Sequence, residues 1–306
     1  MEKRRFGRTD MEVSVLGFGG AEIGFERAAA ESVARLLSAA LDAGLNVIDT
    51  AECYGSGADH PSSETLIGKA VAHRREDFYL FTKCGHASGL DGPDWDLAML
   101  EKSIDRSLAR LQTDHVDLIQ LHTCSEEMLR QGDVIAVLQK ARDAGKARFI
   151  GYSGDSFAAL YAVQSGAFDA LQTSVSIADQ QCIDLTLPAA VKAGIGVIAK
   201  RPIANVAWRS GSTPPENAYC QTYWERLGKL GYPFLRPGAD EAAVGTALRF
   251  TLSQAAVCTA IVGTKNPDRW QANADLLDAG PLAPSEIQAI RARWRTVSEP
   301  EWVGQG

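Results

Sequence analysis

Four times in this chain a helix-like stretch closes on a glycine and runs straight into an apolar segment. Leu41-Asp42-Ala43-Gly44 leads into 45–49, Arg142-Asp143-Ala144-Gly145 into 147–152, Gln164-Ser165-Gly166 into 168–173, and Val191-Lys192-Ala193-Gly194 into 195–200. A glycine at that point takes the left-handed conformation that ends a helix. One joint reused in this way marks strands alternating with helices, the pattern of a parallel sheet. Apolar runs near 14–18, 45–49, 78–83, 116–121, 147–152, 168–173, 195–200 and 258–262 give eight strands, with amphipathic stretches at 29–41, 98–111, 126–144 and 240–253 among the intervening helices.

Eight βα units in 306 residues fit a (β/α)8 TIM barrel better than a doubly wound sheet. Segments 3–6 and 11–14 flank Gly7-Arg8-Thr9-Asp10 and read as a β-hairpin closing the bottom of that barrel. No linker divides the chain, so 1–306 is expected to be one domain. Three stretches on the opposite end are long: 85–94, the aromatic-rich 203–239, and the tail 297–306. Such loops are often binding loops. For the aromatics of 203–239, packing of a short helix onto the barrel is an equally good reading.

Net charge is −7, which argues against a nucleic-acid or anionic-membrane binder, and an anionic ligand would have to be met by local positive charge. The six cysteines are scattered without a close pair, as expected of reduced thiols in a cytoplasmic protein. The start, Met-Glu-Lys-Arg-Arg-Phe-Gly, has no apolar core of a signal peptide, and no apolar stretch is long enough for a membrane span.

The chemistry gathers where apolar runs end. The run 45–48 ends on Asp49 and is followed by Tyr54-Gly55, the run 78–82 ends on Lys83, and 116–121 ends on His122. In a barrel all four lie at the carboxyl ends of strands, where such folds place their sites. Asp, Tyr, Lys and His together supply a proton donor, a cation to make its proton easier to give, an acid to hold the cation and an imidazole to orient a substrate. Any one of them alone reads as a strand end, a solvated lysine or a core histidine. Two decoys fall away. Gly17-x-Gly19 is followed by Glu22 where a dinucleotide fingerprint needs glycine. Tyr79-x-x-x-Lys83 lies on a β-rich run, not on the helix where that spacing carries chemistry. Cys53, Cys84 and Cys124 lie near this group, but no C-x-x-C or H-x-x-x-H spacing marks a metal site.

Asp49-Thr50-Ala51-x-x-Tyr54-Gly55, then a strand ending in lysine, then a strand ending Leu121-His122, resembles the aldo-keto reductase superfamily. The resemblance runs from the Arg4, Phe6 and Gly7 start to the 263–273 segment. It implies an NAD(P)H-dependent oxidoreductase that reduces aldehydes or ketones, or oxidises alcohols or sugars in reverse. Tyr54 would then be the proton donor, tuned by Lys83 and Asp49, with His122 orienting the carbonyl. It also implies that Ser153 and Gln172 hold the nicotinamide carboxamide, although Gly154 replaces the usual Asn. Lys200 stands where many relatives stack an aromatic on the nicotinamide, so Lys200 or Arg201 must substitute. Gly263, Thr264, Lys265, Arg269 and Asn273 fall in the segment that the family uses for the adenosine end. Lys265, Arg269 and the amides opening the following helix favour NADP(H), with NAD(H) the alternative. Gly263 departs from this, since some NADP-specific relatives carry lysine there. The partner expected is a small carbonyl or alcohol substrate. Competing readings are a nucleotide-binding regulatory subunit with little turnover, and an aldolase using Lys83 as a Schiff base.

Overall fold

Each apolar run pairs with the next in parallel register, and the last returns to the first. The computed structural model describes residues 1–55, 60–236, 238 and 240–305. A two-stranded antiparallel hairpin, β1 (Lys3–Arg5) and β2 (Glu12–Ser14), precedes eight parallel strands. These are β3 (Leu16–Gly19), β4 (Val47–Asp49), β5 (Tyr79–Cys84), β6 (Val116–His122), β7 (Ala147–Ser153), β8 (Ala170–Ser174), β9 (Gly196–Lys200) and β10 (Val257–Val262). They close in the order β10-β3-β4-β5-β6-β7-β8-β9 with helices outside, so the (β/α)8 barrel holds. The joint glycines Gly44, Gly145, Gly166 and Gly194 all have positive φ, between 65° and 94°.

The hairpin closes the bottom. Phe6, Met11 and Val13 are fully buried in one cluster with the inward-facing Val47, Phe81, Leu118 and Ile198. Gly7 turns at φ +55°, where a Cβ would come within 2.3 Å of the Gly196 nitrogen. The Arg8 amide donates to the Gly194 carbonyl at 2.7 Å, fastening the hairpin to the strand-entry end of β9.

A two-residue step along a strand stays on the same face. One step up from this apolar layer, Val47 gives way to Asp49, Phe81 to Lys83, Leu118 to Gln120 and Ile198 to Lys200. The barrel interior thus changes from hydrocarbon to hydrogen-bonding groups within one layer, at its carboxyl end.

One expectation changes, and one pair of alternatives is decided. The helix expected over 126–144 is broken at Gly132, φ +86°, into Glu126–Gln131 and Asp133–Asp143. The stretch 203–239 is not a plain loop: it contains a 3-10 segment, Ala204–Ser210, and a helix, Ala218–Leu230, capped by the Asn217 side chain. Tyr223, Leu227 and Leu230 bury against Ile290, Trp294 and Trp302 in a second core, so helix packing accounts for much of the aromatic content. Pro237 and Ala239 of that stretch, and Gly306 of the tail, lie outside the described residues. The tail itself lies against the protein, with Trp302 stacked edge-on to Trp294 at 5.4 Å. Among the described residues no helix is long and apolar enough to cross a membrane.

Candidate active site

Asp49, Tyr54, Lys83 and His122 converge at the carboxyl end of the barrel. Lys83 is fully buried, and its ammonium meets three oxygens, one on β4 and two on the segment after it. Its Nζ donates to Asp49 Oδ2 at 2.6 Å, to the Thr50 carbonyl at 2.8 Å and to the Tyr54 hydroxyl at 3.4 Å. Asp49 is held from its other side, where Oδ1 accepts from the Gln172 amide at 2.8 Å and the Gln120 amide at 3.3 Å. The His122 ring meets the Tyr54 ring edge-on at 5.8 Å. Tyr54 follows β4 on a turn closed by hydrogen bonds from its own amide to the Ala51 carbonyl and from the Ser63 amide to the Tyr54 carbonyl.

Burial dominates the electrostatics, and corrects one expectation. Lys83 was expected to bring the Tyr54 phenol down. Burial instead pushes the phenol above its ordinary value, and Lys83 pulls the other way without overcoming it. Burial would also lower Lys83, but Asp49 and then Tyr54 more than offset this and hold the ammonium above its usual range. Burial, then the Lys83 charge, keeps His122 well below the ordinary imidazole value, so the ring is neutral. Its Nδ1 lies 3.6 Å from Cys53 Sγ. Burial raises that thiol to about 12, so it holds its proton and can donate to Nδ1, an arrangement that goes with the tautomer protonated at Nε2. Burial likewise lifts Glu52 to about 8.

The mouth is aromatic. Phe25 packs on Tyr54 at 5.4 Å, and His86 lies between His122 at 5.3 Å and Trp95 at 5.9 Å. His86 and Trp95 belong to the stretch beginning at Gly85, where Asp94 bonds the His86 ring at 2.9 Å. Trp208 and Trp224 belong to the segment after β9, and the Trp224 indole donates to the Gly211 carbonyl at 2.9 Å.

The other residues singled out lie along the same rim. Ser153 and Gln172 are buried neighbours on β7 and β8, and the serine hydroxyl donates to the Gln172 side chain at 3.3 Å. Lys200 pairs with Asp155 at 2.9 Å. Its Nζ also donates to the Gln305 carbonyl at 3.1 Å, as does Arg201 Nη1, and Arg201 further reaches Ser174 at 3.0 Å. Beyond β10, Gly263 is exposed and packs beside the Gly19 carbonyl. The Thr264 hydroxyl accepts from the Asn266 amide at 3.1 Å. Asn266 caps the helix Pro267–Asp275, which carries exposed Arg269 and buried Asn273. Lys265 ion-pairs with Glu26 at 2.5 Å, so one of the two cations expected there already has an acid partner. Tyr79 sits at the opposite end, where its hydroxyl accepts from the Glu12 amide at 3.3 Å.

Sequence reasoning missed Gln120, Asp155 and Glu52. The first lay in plain view, two residues before His122 on one strand face. The others have no sequence signal, because their partners lie on distant segments.

Residues 15–295 match the model of the Aldo/keto reductase family. The chain is 29% identical to L-galactose dehydrogenase from Arabidopsis thaliana, covering 99% of this chain and 94% of that protein. It is 26% identical to D-threo-aldose 1-dehydrogenase from a Pseudomonas species, over 95% of this chain and 96% of that one. Among solved structures it is similar to the holo form of aldo-keto reductase AKR11C1 from Bacillus halodurans, with a TM-score of 0.81 and 28% identity over 98% of this chain and 99% of that one.

Proposed function

The chain belongs to the aldo/keto reductase family, and from that premise we propose that it reduces an aldehyde or ketone to an alcohol, or oxidises an alcohol or sugar in reverse, with Tyr54 moving the proton. The observation that carries this reading is Lys83: a buried ammonium bridging a carboxylate at 2.6 Å and a phenol at 3.4 Å. A cation held so close to the phenol is worth most when the phenol loses its proton. That is the moment at which an alkoxide forming on the substrate takes it. Asp49 keeps Lys83 charged and in place. Such a lysine is a poor Schiff-base nucleophile, which counts against the aldolase reading. Neutral His122, protonated at Nε2, is suited to donate a hydrogen bond to the carbonyl oxygen.

The nicotinamide cofactor that the family implies supplies the hydride. The donor set fits it. Ser153 and Gln172 offer a hydroxyl and an amide, and Lys200 and Arg201 both aim at a single acceptor oxygen, that of Gln305, as donors for a diphosphate would. Asp155 holds Lys200 by an ion pair, so this lysine serves charge and position in place of an aromatic stack. At the adenosine end we favour NADP(H). Arg269 and the capped helix amides carry this, with the smaller share falling to Lys265, for which Glu26 competes.

L-galactose dehydrogenase and D-threo-aldose 1-dehydrogenase are similar over nearly their whole lengths, which supports trying sugars first. The test is turnover on a panel of aldehydes, ketones and aldoses with both cofactors. Cofactor binding without turnover on any of them would overturn the enzymatic reading in favour of a binding role.

A further inference from the structure

We propose that the turn after β4 and the end of β6 form a binding site for a thiophilic divalent cation, zinc(II) being the model ion, built from the Glu52 carboxylate, the Cys53 thiolate and His122 Nδ1.

The donor atoms of these three residues all lie within 4.8 Å of one another. The thiol–imidazole edge is measured directly, with Cys53 Sγ 3.6 Å from His122 Nδ1. Zinc bonds of about 2.3 Å to sulfur and about 2.0–2.1 Å to nitrogen, set at a tetrahedral angle, separate the two ligand atoms by roughly 3.5 Å. That edge is therefore already at coordination distance without movement of either chain segment.

A second observation points the same way. Glu52 is completely buried, yet among the described residues only one of its oxygens is satisfied: Oε1 accepts from the His86 amide at 2.9 Å, while Oε2 has no hydrogen-bond partner among them. An orphaned carboxylate oxygen inside a protein is costly unless a proton or a cation meets it. Charge also balances. A carboxylate and a thiolate neutralise a dication, the imidazole binds as the neutral ring, and the nearby Lys83 charge is already countered by Asp49 at 2.6 Å. Cys53 and His122 are only half-buried, whereas Glu52 lies behind them, so an ion has a way in from the mouth. Three protein donors leave one position of four for water. As the metal–oxygen and metal–sulfur bonds form, the Glu52 carboxyl proton and the Cys53 thiol proton both pass to solvent.

No linear spacing announces this site, because two ligands are adjacent in the chain and the third lies 69 positions further on. Its consequence follows from its place. A metal on His122 Nδ1 would sit on the ring edge away from Nε2, the nitrogen that faces the carbonyl, and would leave Ser153, Gln172 and the Arg269 segment untouched. A bound ion should thus change carbonyl turnover through the His122 ring while leaving cofactor affinity unchanged. This effect on turnover rests on the proposed reductase reading; the binding does not.

The experiment uses the full chain, reduced and freed of metal by a chelator that is then removed. Zinc binding is followed by titration calorimetry, and cobalt(II) binding by absorption. The expected result is one ion per chain, with a thiolate-to-cobalt charge-transfer band and the visible bands of a tetrahedral ion. Cys53→Ser should remove the charge-transfer band and weaken zinc by roughly 100-fold or more, and Glu52→Gln by at least about tenfold. Cys220→Ser, which alters a thiol outside the cluster, should change neither. Thermal melts check that each variant is folded, and Cys53→Ala replaces any that is not. Cobalt bound without the thiolate band, zinc affinity unchanged in Cys53→Ser, or no saturable binding to the native chain overturns the site. Absence of turnover in the metal-free chain, with metal binding intact, would instead count against the reductase reading.

Discussion

Replacing Lys83 by methionine removes one charge and almost no volume, so it isolates what the buried ammonium does. The Nζ lies 3.4 Å from the Tyr54 oxygen. At the effective dielectric of about 20 that suits protein sites, a unit charge at this distance stabilises a phenolate by about 5 kcal/mol. Asp49, at 2.6 Å from the same nitrogen, cancels part of that. If half survives, the loss is about 2–3 kcal/mol, or roughly 100-fold in the rate of the proton-coupled step. Stability should fall as well. Methionine leaves the Asp49 carboxylate buried with only the amides of Gln120 and Gln172, and breaking a buried pair from one side typically costs about 3–5 kcal/mol. Asp49→Asn in the same chain should restore part of that stability, since no unpaired charge remains. Single-turnover kinetics at saturating cofactor measure the first quantity and urea unfolding of the two single variants and the double variant measures the second. Near-native turnover in Lys83→Met, or strictly additive losses in the double-mutant cycle, would refute the argument that these residues act as one unit.

Tyr54→Phe removes only the hydroxyl, so turnover should fall by about 10²–10⁴-fold while cofactor affinity, read by fluorescence titration, stays native. In Arg269→Ala, affinity for NADP(H) should drop more than affinity for NAD(H), and equal losses in direct binding would remove the phosphate from this residue. Phe6→Ala empties the barrel bottom, where Phe6 is fully buried against Phe81 at 5.6 Å between ring centres; chemical denaturation should show a loss of about 3–5 kcal/mol. Gly7→Ala meets both a positive φ and the Gly196 nitrogen at 2.3 Å, so it too should lower the unfolding midpoint.

The barrel was legible because its signals are local. A helix that ends on Gly44 or Gly194 announces itself in a few residues, and an apolar run of five needs no distant partner to be seen. Asp49, Lys83 and His122 were legible for the same reason, since each ends such a run. The broken helix at Gly132 was visible in principle, a glycine in mid-pattern, but amphipathic periodicity continues through it. The helix Ala218–Leu230 was harder, because its buried face meets Trp294 and Trp302, far along the chain.

The chain alone thus determined the number and order of the strands, the closing hairpin, and which residue types arrive at the carboxyl ends. Periodicity, glycine joints and strand ends are properties of neighbouring residues, and neighbours suffice to express them. Only the tertiary structure decided what those side chains are to one another. It made Gln120 and Gln172 the second grip on Asp49, paired Lys200 with Asp155 and Lys265 with Glu26, and set Cys53 against His122. It also decided the sign of the Tyr54 shift: the sequence put a cation beside the phenol, but the loss of water around both depends on everything packed over them, and burial outweighed the charge. Desolvation and side-chain pairing depend on distances across the fold, and those distances exist only once the barrel has closed.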